Sequence, residues 1–160
     1  MANEPSPEKL EKRARNVLLF QLSRSMKTKR QLAIILEKRE IPAEIALPLL
    51  DRFEEVNLID DKAFAYSYVR SRVERGKSAR IIDRELSQKG VPKDLIALAL
   101  EEIDPEDEAK MAFELASNRW DKLGSIDKQA KYRRVSGFLM RRGFNSQLVS
   151  SVLRDLSSRG

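Results

Sequence analysis

The sequence predicts an all-α protein built from tandem three-helix repeats, and three observations carry that prediction. A phrase recurs: Lys89-Gly90-Val91-Pro92-Lys93-Asp94-Leu95-Ile96 is echoed by Arg142-Gly143-Phe144-Asn145-Ser146-Gln147-Leu148-Val149, and more loosely by Arg39-Glu40-Ile41-Pro42-Ala43-Glu44-Ile45-Ala46. The period of roughly fifty residues lies in the range of helical arrays. Superposing the helix ahead of each phrase sets Leu32, Ile82 and Val135 in one apolar column and Leu36, Leu86 and Leu139 in another. Strand signals are nearly absent, with no Asn-Gly or Asp-Gly hairpin and no alternating run bounded by turns.

The elements follow in order. Residues 1–7 carry Pro5 and Pro7 and read as a frayed terminus. The first repeat, 8–57, opens with a helix from Glu8 to Ser25 whose candidate core positions are Ala14, Val17, Leu18, Phe20, Leu22 and Met26. Thr28 caps its second helix, and its third begins at Pro42. Pro48 falls inside that third helix, where it removes a backbone bond to Glu44 at a cost of about 3 kcal/mol, so a kink or a later start is expected.

The second repeat, 58–103, starts at Asp60 as N-cap, turns inward Phe64, Ala65, Tyr68, Val69 and Val73, and stops at Gly76. Ser78 caps its second helix, which ends at Gly90; its third runs from Pro92 with Leu95, Ile96, Leu98, Ala99 and Ile103 as apolar positions. The third repeat, 104–160, opens on Asp104-Pro105-Glu106-Asp107-Glu108, a cap, a proline at the first helical position and carboxylates at the positive end of the helix dipole. Gly124, a helix around Val135, Phe138 and Leu139, then Gly143 and a final helix from Ser146 complete it.

The chain has 160 residues, 41% hydrophobic and 35% charged, enough to bury a core beneath a heavily charged exterior. No run approaches the ~18 apolar residues of a membrane span, and the start has no apolar signal core. With 0 Cys and 0 His there is no disulfide framework, thiolate nucleophile or imidazole base, and the usual zinc ligands are missing. A cytoplasmic, non-enzymatic protein without cofactor or metal is expected. Gly76-Lys77-Ser78 is not a phosphate loop, since Ser71 stands where its first glycine would be and an amphipathic helix precedes it. The acidic run from Glu101 to Glu108 is explained by helix capping.

The net charge of +6 is unevenly placed, with the cations gathered around the second helices. Between Arg24 and Arg39 six cations, Lys29 and Arg30 among them, face only Glu37. Between Arg70 and Lys89 the set includes Arg70, Arg75, Lys77, Arg80 and Arg84; between Asp127 and Arg142 it includes Lys131, Arg133, Arg134, Arg141 and Arg142. Stacked repeats would align these into one basic stripe, the candidate binding surface for an anionic partner. Arg72 instead falls in the apolar arc of Phe64, Tyr68 and Val69, so an ion pair with Asp60 or Asp61 is expected. Aromatics are few, and Phe64, Tyr68, Phe138 and Phe144 sit at core spacing, so no base-stacking platform is evident.

The stretch Asp60-Asp61-Lys62-Ala63-Phe64-Ala65-Tyr66-Ser67-Tyr68-Val69-Arg70-Ser71-Arg72, with Arg75-Gly76, Arg80-Ile81, Glu85-Leu86 and Gln88-Lys89-Gly90-Val91, resembles the central motif of the RecX family of bacterial recombination regulators. Leu115-Ala116, Arg119-Trp120 and Phe138-Leu139-Met140-Arg141-Arg142-Gly143-Phe144 resemble its third unit. Ser78, where the family usually carries a second glycine, Glu40, where a glycine cap is expected, and Pro48 depart from the pattern. The resemblance implies three helix-turn-helix-like units in an elongated, curved monomer. It also implies binding to the RecA recombinase and its filament on DNA, with inhibition of its ATPase, strand-exchange and coprotease activities in recombination and the SOS response. DNA alone would be bound weakly, and a direct DNA-binding helix-turn-helix array is the rival reading, with Arg80 and Arg133 as its candidate base readers.

Overall fold

A computed structural model describes residues 4–159. Among them are nine α-helices and no strand: α1 (Pro7–Arg24), α2 (Lys29–Lys38), α3 (Ala43–Glu55), α4 (Asp61–Glu74), α5 (Ala79–Gln88), α6 (Lys93–Leu100), α7 (Pro105–Lys122), α8 (Lys128–Arg141) and α9 (Ser146–Ser158). The expected frayed segment falls partly on residues 1–3, outside the described residues; Ser6 caps α1 by accepting from Lys9 N, and Pro7 is its first helical residue. By backbone proximity the chain divides into two compact units. Unit 1 takes the described residues through Ala65 plus Leu86–Ile96, and unit 2 takes Tyr66–Glu85 plus the described residues from Ala97 onward. The division passes through the helices of the middle repeat.

The repeat is visible in burial. Ala14, Ala65 and Ala112 are all fully buried, and so are Leu32, Ile82 and Val135 and, one turn on, Leu36, Leu86 and Leu139. Ile41, Val91 and Phe144 are buried just past the second helices, and Ala46, Ile96 and Val149 on the third. In the first and third repeats, alanine on the first helix lets the other two helices approach closely, while the branched residues fill the space between them.

Each second helix ends in the same way. Ile41 N bonds Leu36 O at 3.0 Å, Val91 N bonds Leu86 O at 3.1 Å, and Phe144 N bonds Leu139 O at 3.2 Å. The residue between reaches back to Glu37, Ser87 or Met140, which completes a Schellman motif and satisfies two orphan carbonyls. That intervening residue must be left-handed: Gly90 has φ +83°, Gly143 +90°, and Glu40 +61°.

Four expectations from the sequence are corrected. Of the kink or later start expected at Pro48, the later start is not found: α3 already runs from Ala43 through Pro48, which lies exposed in its second turn. Phe20 is 53% exposed because it stands two residues past buried Leu18, about 200° round the helix. Leu98 is exposed for the same reason relative to Ile96. Met26 is exposed because α1 ends at Arg24, leaving it in the connection to α2.

Candidate functional site: helix starts, seams and unpaired cations

The start of each of the first two second helices is a junction between one repeat and the next. In unit 1, Thr28 is fully buried and forms a capping box: its Oγ1 accepts from Gln31 N at 3.1 Å while its own N donates to Gln31 Oε1 at 3.0 Å. The same hydroxyl donates to Lys89 O at 2.6 Å, at the end of α5, and Lys29 N donates to Asp61 Oδ1 at 2.9 Å. Asp61 is buried, and that desolvation raises its carboxyl above the usual value despite the bond from Lys29. Arg30 lays its stem over Gly90, where an added Cβ would stand 2.5 Å from Arg30 Cβ.

Unit 2 repeats the arrangement. Buried Ser78 caps α5 by accepting from Ile81 N at 3.3 Å, and Glu108 Oε1 accepts from Ala79 N at 3.0 Å. Gly143, at the end of α8, lies under Ser78 and Ile81; an added Cβ there would meet Ser78 Oγ and stand 2.5 Å from Ile81 Cγ1. Asp61 and Glu108 occupy equivalent positions, each four residues ahead of the buried alanine. Sequence reasoning assigned Asp61 and Glu108 to pairing or capping on their own helices; their true donors belong to the preceding repeat.

Arg72 does not pair with Asp60 or Asp61. Its guanidinium lies over the Tyr68 ring at 4.3 Å, and its Nε stands 3.8 Å from Glu85 Oε2, which also accepts from Tyr68 OH at 2.7 Å. Asp60 is instead committed to its cap, accepting from Ala63 N at 2.9 Å. Burial, then the bond to Glu85, raises the Tyr68 phenol above its ordinary value. The cluster is a structural one within unit 2, and it leaves Glu85 Oε1 buried without a hydrogen-bond partner among the described residues.

The predicted binding cations fall into two groups. Lys29 Nζ is held by Asp51 at 2.6 Å and Glu54 at 3.1 Å, and the Asp51 bond leads in raising its pKa. Lys131 lies over Trp120, and Arg142 lies over Phe138 at 5.1 Å while donating to Arg75 O at 3.3 Å. By contrast Arg30, Arg75, Arg80, Arg84, Arg133 and Arg134 are exposed, and their side chains make no ion pair among the described residues. Arg70 and Arg141 are likewise exposed, and Lys77 is half-buried.

The sequence reading missed one cationic surface. Lys9, Lys12, Arg13 and Arg39, with Asn16, Val17 and Phe20, line a shallow groove of about 490 Å³ in unit 1. The spacing of Lys9, Arg13, Asn16 and Phe20 along one stripe of α1 was the available signal. Among the described residues no group of three or more His, Cys, Asp or Glu could hold a metal ion, and no helix is long and apolar enough to cross a membrane.

The family model for the second three-helix domain of RecX matches residues 60–100, and that for the third matches residues 106–153. The regulatory protein RecX of Streptomyces coelicolor is 40% identical over 152 residues, spanning 94% of this chain and 80% of its own length. The chain belongs to the RecX family. RecX of Thermobifida fusca is 36% identical over 94% of this chain and 82% of its own, and RecX of Mycolicibacterium smegmatis is 38% identical over 92% and 81%. The crystal structure of RecX from Lactobacillus salivarius shares the fold, with a TM-score of 0.86 at 20% identity over 94% of this chain and 98% of that one. A second RecX crystal structure superposes with a TM-score of 0.81 at 29% identity over 89% and 72%. This RecX-family chain is therefore a regulatory, non-catalytic protein with an all-α, tandem three-helix fold.

Proposed function

We propose that this chain binds the RecA recombinase and its filament on DNA and restrains its ATPase, strand-exchange and coprotease activities, acting in the cytoplasm as a monomer in recombination and the SOS response. Family membership supports the reading. The observation that carries it to particular residues is the exposed set Arg75, Arg80, Arg84, Arg133 and Arg134, whose side chains make no ion pair among the described residues. Such groups are free to meet phosphates or carboxylates, whereas Lys29, Lys131 and Arg142 already serve the fold.

The test is ATP hydrolysis by preformed RecA filaments titrated with the R75E/R80E/R84E variant. Exposed substitutions change stability by only about 0.5 kcal/mol each, so the variant stays folded; inhibition should require at least about tenfold more protein. A folded variant that inhibits at the wild-type concentration would refute the contact model.

The groove beside Phe20 favours a second reading, direct contact with single-stranded DNA, because an exposed ring among four cations suits base stacking. That affinity should fall steeply with salt. An affinity unchanged in F20A would exclude the stacking contact.

A further inference from the structure

We propose that unit 2 carries an anchor pocket for an arginine-bearing, aliphatic segment of a partner protein, set between α4 and α7. The pocket has a volume of about 250 Å³, and Val69, Val73, Ile103 and Met111 give it an apolar lining. That volume lies just below the ~300–1,000 Å³ range of small-molecule sites, and suits one or two inserted side chains. Its mouth is acidic in a chain whose net charge is +6.

The carboxylates there divide by what they already do. Asp104 accepts from Glu106 N and Glu108 caps α5, so both serve helix starts. Glu74, Glu102 and Asp107 are exposed and make no ion pair or side-chain hydrogen bond among the described residues. Glu74 is the last residue of α4, and Glu102 lies just past the end of α6. Both stand at negative helix ends, where a carboxylate is disfavoured unless a cation comes to it. Arg70 shares the mouth and is four residues from Glu74, yet the two form no ion pair.

Charge complementarity therefore selects a cationic occupant, and the apolar lining selects one with aliphatic flanks. Arginine suits the site better than lysine because its planar fork binds carboxylates in pairs and its weakly hydrated face lies against apolar walls. Arginine is also among the residues that most often anchor protein interfaces. The carboxylates at the mouth repel phosphate, so this site differs in its chemistry from the set Arg75, Arg80, Arg84, Arg133 and Arg134, although Arg70 lies at its edge.

The probe is a short fluorescein-labelled peptide with one arginine between leucines, titrated into the full chain by fluorescence polarisation, with the Met111 methyl resonance as the local reporter. Saturable binding that shifts Met111 is expected, weakened at least about tenfold in E102Q/D107N and when citrulline replaces the arginine. E102Q/D107N leaves the caps Asp104 and Glu108 in place, and a circular-dichroism melt shows whether the variant stays folded despite the loss of Asp107 from the first turn of α7. The proposal fails if no saturable shift appears or if E102Q/D107N binds equally. It also fails if a leucine-free arginine peptide or spermidine competes with the same affinity, which would mark diffuse charge or a polyamine site, or if the peptide acts only by dissociating a dimer of the chain.

Discussion

At the seam of unit 1, Thr28 has one partner beyond its own helix start, the carbonyl of Lys89, Arg30 crosses Gly90, and the capping acid is buried Asp61; at the seam of unit 2, Ser78 makes a single cap bond, Ile81 crosses Gly143, and the acid is half-buried Glu108. The backbone is the same in both: a capped helix start set against a left-handed glycine. The filling differs, a cation and a closed polar box in one and an aliphatic side chain in the other. The comparison teaches that the repeat conserves where the chain comes close to itself, and leaves open which side chains line the approach.

The glycines give the largest expected effect. G90A and G143A should each lose about 2–4 kcal/mol in urea unfolding, combining left-handed strain with overpacking. G124A, at φ +65° but with nothing within 4 Å of an added Cβ, should lose only about 1 kcal/mol. Equal losses at all three sites would show that backbone strain, not close approach, sets the requirement.

The caps come next. T28A should cost about 2 kcal/mol and S78A about 1 kcal/mol, because Thr28 also bonds a half-buried carbonyl of another repeat. Thermal melts of the two variants side by side would erase the distinction between the seams if the two losses matched.

The smallest effect is a pH dependence. Burial raises Asp61 above its ordinary value of 3.8, so the native state holds that proton more tightly than the unfolded chain. The resulting stabilisation is full below pH 3.8 and is lost as pH rises through the folded value. D61N keeps an oxygen to accept from Lys29 N and cannot ionise. It should match or exceed the wild type at pH 7, and lose that advantage on acidification toward about pH 4.

Much of the fold was legible because the repeat was written in local signals. The columns through Leu32 and Leu36, the caps Thr28, Asp60, Ser78 and Asp104, and the stops at Gly76, Gly90 and Gly143 all follow from neighbours within one turn of helix. What escaped depends on which elements meet. Asp61 and Glu108 look like ordinary first-turn acids, and nothing in their own helix says that the amide they serve lies in the preceding repeat. Arg72 was placed correctly in an apolar arc, but its partner Glu85 comes from the next helix rather than its own. The acidic run from Glu101 to Glu108 was read as capping, which accounts for Asp104, Glu108 and first-turn Asp107 but not for Glu102, and Glu74 lies outside that run. Among the cations, spacing could not separate Lys29, consumed by Asp51 and Glu54, from Arg30 beside it.

Glu40 occupies the position of Gly90 and Gly143, yet it is exposed and tolerates φ +61°. At the other extreme, Lys131 stands where Thr28 and Ser78 stand, and α8 begins a turn earlier behind Asp127, whose side chain makes no cap bond. Each seam joins the head of one second helix to the tail of the next, so each seam has a direction, and Glu40 and Lys131 lack the residues that such joining demands. Lengthening the chain by gene duplication would then need unlike edits at the two ends: a glycine at Glu40 to extend it ahead of α1, and a small hydroxyl residue at Lys131 to extend it beyond α9. A repeat appended without them would meet a blocked tail or an uncapped head.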